Sequence, residues 1–163
     1  MKGRKFMGLK KDNKKICLIS SSGGHFEQLM RLDKILTLFN CFVVTEKTKY
    51  NSDEKKINYY LKQVNRSSPF WFILFLWDFI LSFIVFLKEK TEYIISTGAL
   101  CSLPMIFIGK LFGKKIIFIE SFAKVSTPTK TGSLIYKKAD LFFIQWEKLH
   151  KYYPNAIYLG GIY

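Results

Sequence analysis

Ile16-Cys17-Leu18-Ile19-Ser20-Ser21-Ser22-Gly23-Gly24-His25 runs from a short apolar segment into a small polar loop. The first four residues read as a buried strand. After the loop, Phe26, Leu29, Met30, Leu32, Ile35, Leu36 and Phe39 recur at helical spacing, with Glu27, Gln28, Arg31, Asp33 and Lys34 between them. The loop is therefore a strand-to-helix turn at the carboxyl end of a first strand, the edge where open α/β sheets bind ligands. Glycines let a ligand approach the backbone, serine hydroxyls donate hydrogen bonds, and free N–H groups at a helix start favour an anion. Ser21, Ser22, Gly23 and Gly24 are thus candidate phosphate or diphosphate contacts, and His25, in the first helical turn, is a candidate catalytic residue. The stretch matches neither G-x-G-x-x-G nor the Walker A loop, so on spacing alone a tight turn with a serine cap stays open.

The 163 residues make one domain with room for a core. At 49% hydrophobic and 17% aromatic residues the chain is not disordered, and it carries more apolar surface than one core needs. A net charge of +14 favours anionic partners. The aromatics concentrate in one apolar run instead of alternating with basic residues, which suits lipid better than nucleic acid. Cys17, Cys41 and Cys101 stand singly in apolar surroundings without metal-ligand spacing, as reduced cytosolic thiols do. Residues 1–15 are rich in lysine and lack the apolar core of a signal peptide, so they are expected to form a flexible basic arm ahead of a single domain, 16–163.

Along the chain, Cys41-Phe42-Val43-Val44-Thr45 reads as a second strand. Residues 46–56 read as a loop opening a short helix, Leu61-Lys62-Gln63-Val64 as a third strand, and Ser67-Ser68-Pro69 as a break that caps a new helix. Residues 70–87, FWFILFLWDFILSFIVFL, approach the length of a membrane span. Asp78 near the middle would cost on the order of 3 kcal/mol in a bilayer core. The segment also falls where an α/β fold needs a crossover helix. A helix with one face on the sheet and the other in the bilayer interface accounts for both features; a span and a wholly internal helix are the alternatives. Phe70, Trp71, Phe72, Phe75, Trp77 and Phe79 are the candidate membrane residues, followed by Lys88 and Lys90.

Tyr93-Ile94-Ile95-Ser96 is a further strand leading to Thr97-Gly98, and residues 101–112 are helical in pattern. Lys115-Ile116-Ile117-Phe118-Ile119 delivers Glu120-Ser121 to the same edge as the first loop. A loop over 124–133, a helix over 134–139, a strand over 141–145, a short helix over 147–152 and a strand over 156–159 complete the chain. The alternation predicts a doubly wound parallel sheet of Rossmann-like type. Three polar clusters converge on one rim: residues 20–25, 96–98 and 120–121.

Ile16 to His25 (ICLISSSGGH), Ile94 to Gly98 (IISTG), Phe118 to Phe122 (FIESF) and Gln145 to Gly160 (QWEKLHKYYPNAIYLG) together resemble one family. It is the membrane-side subunit of split polysaccharide glycosyltransferases, comprising asparagine-linked glycosylation protein fourteen and the PssD-like proteins of capsule and exopolysaccharide synthesis. The resemblance implies the N-terminal half of a GT-B glycosyltransferase, docked peripherally or monotopically on the cytoplasmic face of the cell membrane. It implies a heterodimer in which this half holds a polyprenyl-diphosphate-linked glycan acceptor and a partner chain binds most of the UDP-sugar. No cofactor, metal or nucleic acid is expected. Carried over, Gly23, Gly24 and His25 match the family's glycine loop, with His25 at the position proposed as general base. Glu120 and Ser121 match a segment facing the same cleft, Glu120 as a second catalytic candidate; Thr97, Gly98 and Ser121 join the acceptor or phosphate set. A histidine suits proton removal from an acceptor hydroxyl at neutral pH. The alternative is a non-catalytic membrane scaffold that recruits and activates a catalytic partner.

Overall fold

The computed structural model describes residues 12–49, 51, 55–64, 67 and 69–163. The strands are β1 (Asp12–Ser20), β2 (Phe39–Glu46), β3 (Tyr59–Leu61), β4 (Tyr93–Ser96), β5 (Lys115–Ile119), β6 (Leu141–Ile144) and β7 (Ile157–Tyr158). They form one sheet in the order β3-β2-β1-β4-β5-β6-β7, and each neighbouring pair is parallel. Strand order reverses between β1 and β4, which opens a crevice at their carboxyl ends. The doubly wound parallel sheet expected from the sequence is present.

Side-chain alternation along the strands sends residues to two cores. Cys17, Ile19, Val44, Ile94, Ile116 and Phe118 face α3 (Trp71–Glu89), α4 (Leu103–Leu111) and α5 (Lys130–Ile135), packing on Phe86, Met105, Ile106 and Ile135. Ile16, Leu18, Val43 and Ile95 face the other way, against Phe26 and Leu29 of α1 (Gly24–Met30) and Ile35 and Leu36 of α2 (Asp33–Leu38). Burial on both faces explains why the strands read as near-continuous apolar runs.

Several boundaries differ from expectation. The single helix after the loop is two. Arg31 N–H is shared between the Glu27 and Gln28 carbonyls and Leu32 N–H turns back to Leu29, which winds the chain tight. Asp33 then restarts it, and Phe39 already belongs to β2. β1 begins at Asp12, so residues 12–15 of the expected arm lie in the sheet; residues 1–11 fall outside the described residues. The third strand is Tyr59–Leu61, ending where Lys62 N–H leaves the ladder for the Asp78 carboxylate, 2.7 Å away. The described residues between Glu46 and Lys56 form turns and no helix, and Ser68 of the expected cap lies outside the described residues. α5 starts earlier than expected because Thr129 caps it, its hydroxyl accepting from Gly132 N–H at 2.8 Å. The Glu147–Lys151 segment is a 3-10 turn.

Candidate functional site

The first loop sits at the β1/β4 crevice. Gly23 has φ 75°, a conformation that favours glycine, and its carbonyl accepts the Glu27 N–H that opens α1. Ser21 and Ser22 are half-buried, whereas Gly23 and Gly24 are exposed at the rim. His25 Nδ1 lies 2.7 Å from the Thr97 carbonyl oxygen, and Thr97 Oγ1 donates to the His25 carbonyl at 2.7 Å. A carbonyl only accepts, so the bond puts the proton on Nδ1 and leaves Nε2 with its lone pair available. Gly98, at φ 111°, lies against the imidazole: a Cβ there would meet His25 Cε1 at 3.3 Å. Ala99 beyond it has φ 80° and ψ 160°, a region that costs a non-glycine residue on the order of 1–3 kcal/mol and collects at functional sites. The structure therefore brings together the residue 21–25 loop and residues 97–98. It corrects one detail: Thr97 is fully buried, and its hydroxyl is spent on the His25 backbone instead of facing a phosphate.

Glu120 and Ser121 do not join the rim as expected. Glu120 is 0% exposed, and its carboxylate accepts from Ser121 N–H, Thr129 N–H, Thr129 Oγ1 and Tyr153 Oη. Burial, with Glu120 beside it, pushes the Tyr153 phenol well above its usual range. These bonds pin residues 121–129 to the end of β5, so Glu120 organises the loop from inside and does not confront the crevice. Ser121 is buried with it. Two glutamines that the sequence reading passed over connect this region to the first loop. Gln28 Nε2 donates to the Gly24 carbonyl at 3.2 Å, and its Oε1 accepts from Phe122 N–H and Gln145 Nε2. Gln145 also donates to the Glu120 carbonyl and accepts from Ile162 N–H. Both glutamines are buried; Gln28, four residues after Gly24, lies among the polar residues between the apolar positions of the helical pattern.

A second unforeseen group lies beneath the loop on the α3 side. Burial raises the Glu46 carboxyl above the usual range, opposed by hydrogen bonds from the backbone of Val64, the Cys101 thiol and the backbone of Ser22. Burial also raises Asp78 to about 6, with Glu46 nearby adding to the shift and Lys62 N–H opposing it. Asp78 Oδ2 has no partner among the described residues. These carboxyl groups tie α3, residues 62–64 and the first loop together. Among the described residues, no group of three or more His, Cys, Asp or Glu side chains is arranged to hold a metal ion.

α3 turns only a narrow stripe inward: Asp78, Ser82, Val85 and Phe86 are buried. The remainder is an exposed apolar face, with Phe72 60% and Ile73 63% exposed and Phe70, Trp71, Trp77 and Phe79 beside them. Phe75 differs from the expected set, being half-buried against the core. The sequence reading missed Leu111, 82% exposed, and Phe112, whose ring meets Phe83 and Phe86; they extend the same face. By length and composition this helix can cross a membrane, but its buried polar stripe faces the sheet.

Residues 47–162 match the family described as oligosaccharide biosynthesis protein Alg14 like. The human UDP-N-acetylglucosamine transferase subunit ALG14 is 26% identical over 179 residues, which cover 90% of this chain and 82% of the relative. The Candida albicans protein of the same name is 34% identical over 91 residues, 52% of this chain and 42% of the relative. Among solved structures, Acinetobacter baumannii MurG superposes with a TM-score of 0.68 at 14% identity, over 83% of this chain and 42% of that one. UDP-N-acetylglucosamine 2-epimerase from Rickettsia bellii gives 0.70 at 12% identity, over 92% and 45%. This chain thus spans less than half of either solved protein, and what it shares with them is the Rossmann-like fold.

Proposed function

This chain belongs to the Alg14-like family of oligosaccharide biosynthesis proteins, and from that premise we propose that it is the acceptor- and membrane-binding subunit of a two-component UDP-sugar-dependent glycosyltransferase. The complex extends a polyprenyl-diphosphate-linked oligosaccharide in capsule or exopolysaccharide synthesis at the cytoplasmic face of the cell membrane. The name UDP-N-acetylglucosamine transferase subunit, carried by the human and mouse relatives, supports transfer of a hexosyl or N-acetylhexosaminyl group.

The observation that carries the reading is the paired bond between His25 and Thr97 at the strand-order switch. It holds an imidazole with Nε2 available beside an open loop. There Nε2 takes the proton from an acceptor hydroxyl while that oxygen bonds to the sugar carbon and the UDP leaves with the electron pair of the broken bond. Ser21, Ser22, Gly23 and Gly24 face the acceptor's diphosphate. Thr97 and Gly98 position His25, and Glu120 and Ser121 shape the neighbouring loop. The partner chain binds most of the UDP-sugar, and no metal enters the step. α3 docks the subunit on the bilayer through its apolar face, aided by Lys88 and Lys90. Holding both substrates in one complex lowers the barrier through orientation, by roughly 7–11 kcal/mol at best.

The test is transfer from UDP-sugars to a polyprenyl-diphosphate acceptor by this chain alone, by the partner alone and by the two together. Activity only in the mixture supports the reading; full activity from this chain alone overturns it. His25→Ala in the intact complex separates the catalytic role from that of a scaffold, which would leave turnover at the wild-type level.

A further inference from the structure

We propose that the crevice between the first loop and the turn following β2 binds a sugar ring of the lipid-linked acceptor, with Lys49 and Gln63 as its principal contacts. The proposal rests on the transferase reading above and assigns a substrate part to Lys49 and Gln63, which that reading does not use. A cavity of about 650 Å³ opens there, within the range of roughly 300–1,000 Å³ common for small-molecule sites. Ser22 and Gly23 form one wall, close in sequence to His25, and Phe26 supplies an apolar surface.

The crevice is preformed. Asn51 Oδ1 accepts from Thr48 N–H at 2.8 Å, Asn51 Nδ2 donates to the Glu46 carbonyl at 2.9 Å, and Tyr60 Oη donates to the Asn51 carbonyl at 2.6 Å. The Glu46 carboxyl in turn engages the Ser22 backbone. Both walls are therefore fixed to each other by Thr48, Asn51 and the Ser22 backbone, while the Lys49, Glu27 and Gln63 side chains take no part in these bonds. The Lys49, Glu27 and Gln63 side chains are exposed and line the cavity. An ammonium, a carboxylate and an amide, with the Ser22 and Thr48 hydroxyls and one aromatic surface, offer donors and acceptors in mixture. That set suits a polyhydroxylated ring, whose hydroxyls both donate and accept. Among the described lining residues Glu27 offsets the one cation, Lys49, so this side of the crevice suits the ring better than the diphosphate, which the first loop faces.

The acceptor is favoured over the donor by how the outer wall is mounted. Gln63 follows Lys62, whose N–H is bonded to Asp78 of α3, and the opposite side of α3 is the exposed apolar face. A glycan tethered to the bilayer is delivered along that helix to this wall.

The test uses the intact two-chain complex in mixed micelles with three probes: an isoprenyl diphosphate bearing one N-acetylglucosamine, the same isoprenyl diphosphate without sugar, and UDP-N-acetylglucosamine. Wild type is expected to bind the sugar-bearing lipid about tenfold more tightly than the bare one, the worth of one or two hydrogen bonds. Lys49→Ala and Gln63→Ala, both on exposed side chains, should erase that preference and leave the other two affinities within about twofold. In turnover they should raise the acceptor KM and spare kcat. Variants that keep the preference overturn the proposal while leaving the transferase reading intact, as does a wild type without preference. Equal weakening toward the bare lipid would make the crevice a phosphate site, and weakening toward UDP-N-acetylglucosamine alone a donor site; either result overturns it. A wild-type complex that binds neither lipid overturns the transferase reading itself.

Discussion

His25 and Thr97 exchange hydrogen bonds in both directions: the imidazole Nδ1 to the Thr97 carbonyl and the Thr97 hydroxyl to the His25 carbonyl, each at 2.7 Å. One bond sets the tautomer and the other sets the backbone that carries the ring. The two strands of the switch point are therefore locked together through the residue best placed for proton transfer.

His25→Ala should lower turnover of the two-chain complex by about 10² or more, with the fold and complex formation retained. Thr97→Val removes the returning hydroxyl bond and leaves the carbonyl in place. It is expected to reduce kcat about tenfold, the worth of one hydrogen bond, with acceptor KM little altered. Steady-state kinetics of both variants checks this. A Thr97→Val enzyme with wild-type kcat would remove Thr97 from any positioning role.

Glu120→Ala should act on stability before activity. It strands four donor groups, Ser121 N–H, Thr129 N–H, Thr129 Oγ1 and Tyr153 Oη, at an expected cost of about 3 kcal/mol or more. For a chain of this size that is a fall in Tm of roughly 6–12 °C. Scanning calorimetry of the complex reads it, and an unshifted transition would contradict the buried role.

Asp78 gives the chain a distinctive pH dependence. Burial raises its carboxyl from 3.8 to about 6, so between those values the folded state holds more protons than the unfolded state. Stability is therefore greatest below the unfolded value and is lost as pH rises through the folded one, by about 3 kcal/mol from this group. Asp78→Asn keeps an oxygen for Lys62 N–H but does not ionise. It should unfold at higher denaturant concentration than wild type above pH 6 and show a flatter slope between pH 4 and 6, with Glu46 supplying what slope remains. Denaturation curves at several pH values decide it; superimposable pH profiles would refute the assignment.

Phe72→Ser, Ile73→Ser and Phe83→Ser combined should release the chain from vesicles in flotation assays, with the greater loss on vesicles lacking anionic lipid. These side chains are exposed, so the substitutions spare the core. Retention of the triple variant on washed vesicles, or protease protection of α3 on both sides, would favour a span.

Much of this architecture is legible in the chain because apolar runs such as Tyr93–Ser96 and Lys115–Ile119 have no other stable use than buried parallel strands. The pairing of the first loop with Thr97-Gly98 follows from strand order. Glu120 was misplaced because a glutamate at a strand end looks the same whether it faces a crevice or four inward donors; only the distant Thr129 and Tyr153 decide. Gln28 was unreadable for the same reason, its partner Gln145 being remote in sequence. The break after Met30 depends on local winding that periodicity cannot register. Asp78, by contrast, carried a readable signal: with Ser82, Val85 and Phe86 it forms one stripe at helical spacing.

The bond from Lys62 N–H to Asp78 also has a mechanical consequence. On the docking proposed above, α3 would lie lengthwise in one leaflet as a keel, and the depth at which it rode would set the height of the His25 rim above the lipid headgroups. Such a keel is indifferent to the thickness of the whole bilayer, which a spanning helix must match. It responds instead to lateral packing among the lipids of a single leaflet. Catalysis should then follow surface pressure in a monolayer, rising where headgroups are loosely packed and falling as they are compressed.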